Sequence, residues 1–421
     1  MRVMWFSNAA FATGETAGSG SWLGALAQGL TASGEVELCN VTLDEGGGPR
    51  RNDTGGLIKQ RLVPRARLGR DGLPPSGVVS SIVDIARDFA PDLVHVWGTE
   101  TYWGLLTARG IIGLPTMLEI QGLKEPCARV FYGGLTLRER ARCVGVREFM
   151  EGRSIVSARH RFASWSVFER EIIAGHRHIT TQSPWVGAWV RGGNRTAHLS
   201  HTELALRDPF YSAQPWSGGE DHIVFCSAAY GLPFKGLHDA VRAFAFLSRR
   251  LPRARLRVAS PAPQGAELRR DGYASWLHRL AAELGVAGRL DWLGMLPAAG
   301  IVTELQRCSA MLMPSHCESY SMALAEAMYL GVPAVSARTG GTDWLARDEE
   351  SALFFNPGDQ VLCAHQLERA MMDGDLALAL SDMARATAME RHDLPDIVAG
   401  QLQRYQSVVS GGAQKTIDPR R

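Results

Sequence analysis

Two glutamates eight residues apart are the first groups in this sequence placed to work jointly. Glu318 and Glu326 lie in PSHCESYSMALAEAMYLGVPAVSA, residues 314–337. The apolar run AMLMPS before them reads as a buried strand and SMALAEAMYLG as the helix after it. Glu318 then ends the connecting loop, and Glu326 falls about two turns into the helix. Eight residues at helical rise span about 12 Å and about 2.2 turns, so both carboxylates can look toward one side. That span suits two separated sets of hydroxyls with a phosphate group between them. The phosphate would lie at the helix N-terminus, against the amides of Tyr320, Ser321 and Met322. Taken alone, two such glutamates read as readily as a helix cap and a surface residue.

A cation for that phosphate stands at Lys235, in FCSAAYGLPFKGLHDAVRAF. Of 45 basic residues only Lys59, Lys124, Lys235 and Lys415 are lysine, so a lysine at the end of a loop, just before a helix, stands out. A compact ammonium there can neutralise charge growing on a leaving phosphate; a solvated helix-start lysine is the plainer alternative. The glycine-rich GSGSWLG supplies Gly18, Ser19 and Gly20. As a dinucleotide fingerprint it is weak, because its glycines do not follow the strand RVMWFS at once. His95, in DLVHVWGTE, and Gln121, in LEIQGL, stand at strands whose carboxyl ends could line a ligand crevice. His95 reads equally as a cleft-facing group and as a satisfied core histidine. His201, Glu203 and Arg207 read equally as cleft-lining groups and as cap and linker contacts. Asp373-Gly374-Asp375 is formally a metal-binding pair, but it lies between two helices, away from any strand end, and reads as a turn.

The elements that must position these groups repeat one rhythm twice. RVMWFSN, VELCNVTL, DLVHVWG, PTMLEIQG, HITTQS and AHLSH read as strands separated by helices. After QPWSGGED, which has the composition of a linker, the rhythm restarts with HIVFCSAA, ARLRVAS, LDWLGM, AMLMPS and PAVSA. Strands alternating with helices predict an α/β chain of two doubly wound, Rossmann-like domains with a cleft between them. The boundaries read as 1–215, 220–390 and a last helix at 391–410 that crosses back onto the first domain. Residues 138–177 interleave arginine with glutamate. They read as a solvated, salt-bridged helical face rather than a site for anions or membrane phosphates.

The segment 314–337, with Gly331-Val332-Pro333, the Gly340-Gly341 pair and Asn356-Pro357-Gly358-Asp359 downstream, resembles the signature of the retaining, family 4 glycosyltransferases (glycosyl transferases group 1) of the GT-B fold. The domain order extends the resemblance over most of the chain. It implies a metal-independent enzyme that moves a sugar from a nucleoside-diphosphate sugar, UDP- or GDP-linked, to an acceptor. It implies Glu326 on the ribose and Glu318 on the donor sugar near its reacting face. Lys235 and the Gly18–Gly20 loop would lie on the diphosphate. Ser227, Ser319, Tyr320, Ser321 and Met322 complete the expected donor set, and Lys235, Glu318, Gln121 and His95 the expected catalytic set. Two departures stand out. An arginine usual about six residues before the lysine is Ala229 here. A histidine usual in the segment of LEIQGL is Gln121, which cannot exchange a proton near pH 7.

Composition limits the rivals. The chain has 421 residues, 45% hydrophobic and 21% charged, with 45 basic and 43 acidic side chains. That is an ordinary globular composition, without the basic surplus of a nucleic-acid binder. Seven scattered cysteines with no C-x-x-C pair fit a reducing compartment rather than a disulfide framework or zinc ribbon. The N-terminus imitates a leader peptide, but it holds one arginine, and Asn8 breaks its apolar run. The expectation is a cytoplasmic protein with no bound cofactor beyond its co-substrate, contact with the inner membrane face being left open. An NAD(P)-dependent oxidoreductase and a non-catalytic nucleotide-sugar binder are the alternatives.

Overall fold

The computed structural model describes residues 1–11, 22–44, 51–53, 58–220, 222–228, 231–260 and 270–411. The expected Gly18, Ser19 and Gly20 lie outside these residues, as does Ala229. The chain divides into two compact units. The first comprises 1–123, 165–208 and 392–421, the second 124–164 and 209–391.

The first unit is built on eight strands: β1 (Arg2–Phe6), β2 (Glu37–Asp44), β3 (Arg51–Asp53), β4 (Ile58–Pro64), β5 (Leu93–Trp97), β6 (Thr116–Glu119), β7 (His178–Thr181) and β8 (His198–His201). Their order is β3-β4-β2-β1-β5-β6-β7-β8. All neighbours run parallel except β3 against β4. Every residue of β5 is buried, as a strand covered on both faces requires. The C-terminal helix Leu394–Gly411 packs against helix Leu23–Ala32 within this unit. Its Tyr405 is wholly buried and accepts the Trp5 indole N–H at 2.8 Å.

The second unit holds β9 (Ile223–Ser227), β10 (Arg255–Ala259), β11 (Leu290–Gly294), β12 (Ala310–Met313), β13 (Ala334–Ala337) and β14 (Leu353–Phe355). They form an all-parallel sheet in the order β11-β10-β9-β12-β13-β14. Both sheets thus have the doubly wound topology that the alternating pattern predicts.

Residues 124–164 depart from the expected boundary at 215 and group with the second unit. Their physical ties are specific. Phe131 and Phe162 pack on Phe234, with ring centroids 5.7 and 5.8 Å away. Glu139 pairs with Arg242 and Arg142 with Glu283. The Gly133 carbonyl meets His238 Nε2 at 2.7 Å. Arginines that read as a solvated face are therefore partly anchors. The expected linker is mostly exposed but anchored at two points: the Trp216 indole donates to the Cys308 carbonyl at 2.8 Å, and Glu220 pairs with Arg307. Among the described residues no helix is long and apolar enough to cross a membrane.

Candidate functional site

In the second unit β9 is flanked by β10 on one side and β12 on the other. The chain therefore changes direction of winding between β9 and β12, and the loops leaving their carboxyl ends lie side by side. Open α/β sheets bind ligands at such a switch point. Lys235 is carried on the first loop and Glu318 on the second, which is why residues 83 apart in sequence meet: Lys235 Nζ donates to Glu318 Oε1 at 2.7 Å.

Backbone contacts fix both loops. The His316 amide donates to the Phe234 carbonyl at 2.6 Å and the Gly341 amide to the Glu318 carbonyl at 2.9 Å. Gly236 (φ 74°) follows Lys235 and starts helix Leu237–Arg250. A Cβ there would overlap the Pro314 carbonyl. Gly340 (φ 56°) lies so close to the Glu318 carbonyl that any side chain would overlap it. These two glycines let the loops approach each other and hold the carboxylate in place.

The Lys235 and Glu318 side chains are 25% and 15% exposed, so solvent reaches the pair. Burial alone would pull the Lys235 pKa down. The Glu318 carboxylate more than offsets this, and the net shift is upward. Lys235 is thus an ammonium throughout the physiological range, held by a single carboxylate that an incoming anion could replace.

Helix Met322–Leu330 begins just beyond. Its cap, Ser321, has a left-handed backbone (φ 92°, ψ 83°), and its hydroxyl accepts the Leu324 amide. A non-glycine residue held in that region is strained. By helix geometry, the amides of Ser321, Met322 and Ala323 lack intrahelical acceptors. Helix N-termini of this kind can receive an anion, and this one starts at the end of the loop that carries Glu318. The sequence reading is corrected in two respects. Glu326 is the fifth residue of this helix, just over one turn in rather than two, because residues 318–321 are not helical. The 12 Å helical span between the glutamates therefore does not apply. Tyr320 lies before the cap, so the helix-terminal amides are shifted one residue onward from the expected set. Tyr320 and Glu326 are buried, Glu318, Ser319 and Met322 half-buried, and Ser227 stands half-buried at the end of β9.

The expected catalytic groups of the first unit fare differently. His95 is wholly buried. Its Nδ1 lies 2.8 Å from the Tyr405 hydroxyl, and Nε2 is 3.6 Å from Glu119 Oε2. Burial, with the nearby Arg404, depresses its pKa far below the usual value. A neutral, enclosed ring cannot reach a substrate, so the catalytic expectation for His95 is withdrawn in favour of the core reading. Gln121 is half-buried just after β6. His201 and Glu203 bond to each other at 2.8 Å. Asp373 caps helix Gly374–Arg391 by accepting the Leu376 amide at 3.0 Å, in keeping with a turn.

Two features beside the site escape sequence reasoning. Asp239 accepts His316 Nε2 and Gln360 Nε2, each at 2.7 Å, steadying the loop two residues before Glu318. Among the described residues, His238, Asp239 and His316 alone have the spacing to hold a metal ion. Both His238 nitrogens are engaged, however, with the Tyr273 hydroxyl and the Gly133 carbonyl. The cluster is a hydrogen-bond network rather than a vacant ligand set. The second feature is Cys127, whose Sγ is 3.4 Å from Cys317 Sγ. No local motif could announce a contact across 190 residues.

Residues 213–387 match the family model "Glycosyl transferases group 1". The D-inositol 3-phosphate glycosyltransferase of Corynebacterium urealyticum is 30% identical over 151 residues, which is 36% of this chain and 35% of that protein. The match thus spans about a third of that curated relative's length. Solved structures match far more of the chain. Sucrose-phosphate synthase from Thermosynechococcus elongatus aligns with a TM-score of 0.71 and 13% identity, over 98% of this chain and 100% of that one. Anabaena Alr3699/HepE in complex with UDP and glucose aligns at 0.67 and 16% identity, over 97% and 100%. At such identities the likeness is one of fold: the two doubly wound domains of this chain have the GT-B glycosyltransferase fold, and the second of them carries the group 1 match.

Proposed function

We propose that this chain is a retaining hexosyltransferase that moves a sugar from a nucleoside-diphosphate sugar, UDP-linked, to a hydroxyl acceptor. The observation that carries the proposal is the Lys235–Glu318 contact of 2.7 Å at the β9/β12 switch point, beside the N-terminus of helix Met322–Leu330. The group 1 match over 213–387 supports it. So does UDP with glucose in the structurally similar Alr3699/HepE.

When the bond from the anomeric carbon to the phosphate oxygen breaks, negative charge grows on the diphosphate. With the donor diphosphate already in place of Glu318 on Lys235, Lys235 and the amides of Ser321, Met322 and Ala323 meet that charge without further rearrangement. They supply the protein's own equivalent of the divalent ion used by metal-dependent transferases. Glu318 exchanges its contact with Lys235 for hydroxyls of the donor sugar, and Glu326 holds the ribose. The departing phosphate receives the acceptor proton on the face that it leaves, so no covalent nucleophile is needed and configuration is retained.

The test is thermal denaturation with a panel of nucleoside diphosphates and their sugar conjugates, in buffer containing a chelator. A ligand of the folded state raises its apparent stability. UDP and a UDP-sugar should raise Tm, and Glu326→Ala, compared with its own unliganded Tm, should lose the shift. No shift with any nucleoside diphosphate would overturn the proposal.

A further inference from the structure

The Cys127–Cys317 pair lies in the second unit, one residue from Glu318. Cys127 is on the short helix Lys124–Arg129 and half-buried; Cys317, 6% exposed, is on the loop after β12. Both are free thiols 3.4 Å apart. A disulfide needs about 2.04 Å between sulfurs, so closure requires an approach of only about 1.4 Å. From this geometry we infer that Cys127 and Cys317 are an oxidative modification site, a dithiol that a peroxide closes into an intrachain disulfide and that thereby fixes the loop bearing Glu318. The inference does not depend on the sugar-transfer reading.

The chemistry balances with hydrogen peroxide as oxidant. Attack by one thiolate on a peroxide oxygen breaks the O–O bond, gives a sulfenic acid and releases hydroxide, which takes up a proton to become water. The second thiol, already in contact, attacks the sulfenic sulfur and displaces its hydroxyl as another water. Both sulfurs are oxidised by one electron each, and the peroxide is reduced by two. In the resting state both cysteines are free. The hydrogen bond to Cys317 and burial hold the Cys127 proton, pushing its pKa up against the opposing pull of Lys235. The Lys235 ammonium, within electrostatic reach of both sulfurs, stabilises whichever thiolate forms.

The consequence follows from the anchors on either side of Cys317. His316 is tied through its amide to Phe234 and through its carbonyl to Thr339 Oγ1 at 2.8 Å, while the Glu318 carbonyl is tied to Gly341. Motion of Cys317 toward Cys127 must be absorbed within these few bonds, which moves or stiffens Glu318 and its contact with Lys235.

The experiment treats the purified, reduced full chain with hydrogen peroxide, blocks residual thiols and maps peptides by mass spectrometry. Hydrogen exchange of the reduced and oxidised forms runs alongside. The expected result is a peptide linked through Cys127 and Cys317, lost on reduction with dithiothreitol, together with several-fold slower exchange at the amides of residues 319–322 in the oxidised form. The other five cysteines, all buried, should remain unlinked. Sulfinic acid or intermolecular bonds in place of the 127–317 link would overturn the assignment. A link that forms without changing exchange at 319–322 would overturn the loop coupling. Neither readout uses nucleotide or activity, so each stands whether or not the chain transfers sugar.

Discussion

Replacing Lys235 by methionine separates a catalytic role from a structural one. The substitution keeps most of the side-chain volume but removes the ammonium that Glu318 contacts at 2.7 Å. Breaking a fully buried ion pair costs about 3–5 kcal/mol, and an exposed one about 0–1 kcal/mol. With the two side chains 25% and 15% exposed, solvent screens the stranded carboxylate, and a loss of about 1–2 kcal/mol is expected. For a domain of this size that lowers Tm by about 2–8 °C. The effect on the reaction should be larger. Removing one preorganised group that stabilises developing charge costs about 2.7–4 kcal/mol, or about 100- to 1,000-fold in turnover. The assay is release of UDP from a UDP-sugar, read well below the lowered Tm so that the folded fraction stays constant. Lys235→Met/Glu318→Gln supplies the control: it removes the stranded carboxylate and should regain most of the lost Tm while turnover stays low. Turnover within about threefold of the parent in Lys235→Met, a difference of only about 0.7 kcal/mol, would refute the argument. So would a double variant that recovers turnover along with Tm.

Two further predictions concern the scaffold. Burial pushes the Glu119 pKa up to about 7, against weaker opposing pulls from Gln182 and Arg404, so the folded chain holds this proton more tightly than the unfolded chain. Stability should therefore fall as pH rises from about 4.5 to about 7. Glu119→Gln should remove that fall, gaining nothing near pH 4 and up to about 3 kcal/mol at pH 8 by urea denaturation; equal gains at both pH values would count against it. Gly340→Ala combines a left-handed backbone with overlap on the Glu318 carbonyl, whereas Gly285→Ala (φ 72°) meets nothing within 4 Å. Both should lose about 1–2 kcal/mol to backbone strain. Gly340→Ala alone should lose clearly more and should weaken the nucleotide-induced Tm shift; matched losses in thermal denaturation would show that the close approach is not tight.

The paired Rossmann-like rhythm was legible because central parallel strands are covered on both faces and read as short apolar runs; LVHVW and AMLM are buried throughout. Strands toward the sheet edge lack that mark. β4, IKQRLVP, carries Lys59, Gln60 and Arg61 and pairs with short β3 on one side, so its composition resembles a loop. That Lys235 and Glu318 stand on loops following strands, each at the turn into a helix, was legible; that the two meet was not. Where exactly the helix begins was not, because Ser321 adopts a left-handed conformation that propensity does not anticipate in serine. His95 shows the complementary limit. Its position at a strand is compatible with either fate, and a partner 310 residues away, Tyr405, decides for the core.

The misplacement of residues 124–164 has a more general cause. Interleaved arginine and glutamate fix only that charges of both signs are available; they do not say whether partners are local or remote. Arg129 and Arg147 find theirs one helical turn away, in Glu125 and Glu151, as a solvated face would. Glu139 and Arg142 instead reach Arg242 and Glu283, and Glu148 is 5% exposed, accepting the Gly272 amide. What separates the two classes is the aromatic packing of Phe131 and Phe162 on Phe234, which brings this segment onto the unit carrying Lys235. The same packing brings Cys127 to Cys317. The segment that leads into the arginine-rich stretch thus supplies the thiol that meets Cys317 beside Glu318, and the packing of Phe131 and Phe162 on Phe234 joins both the segment and that thiol to the second unit.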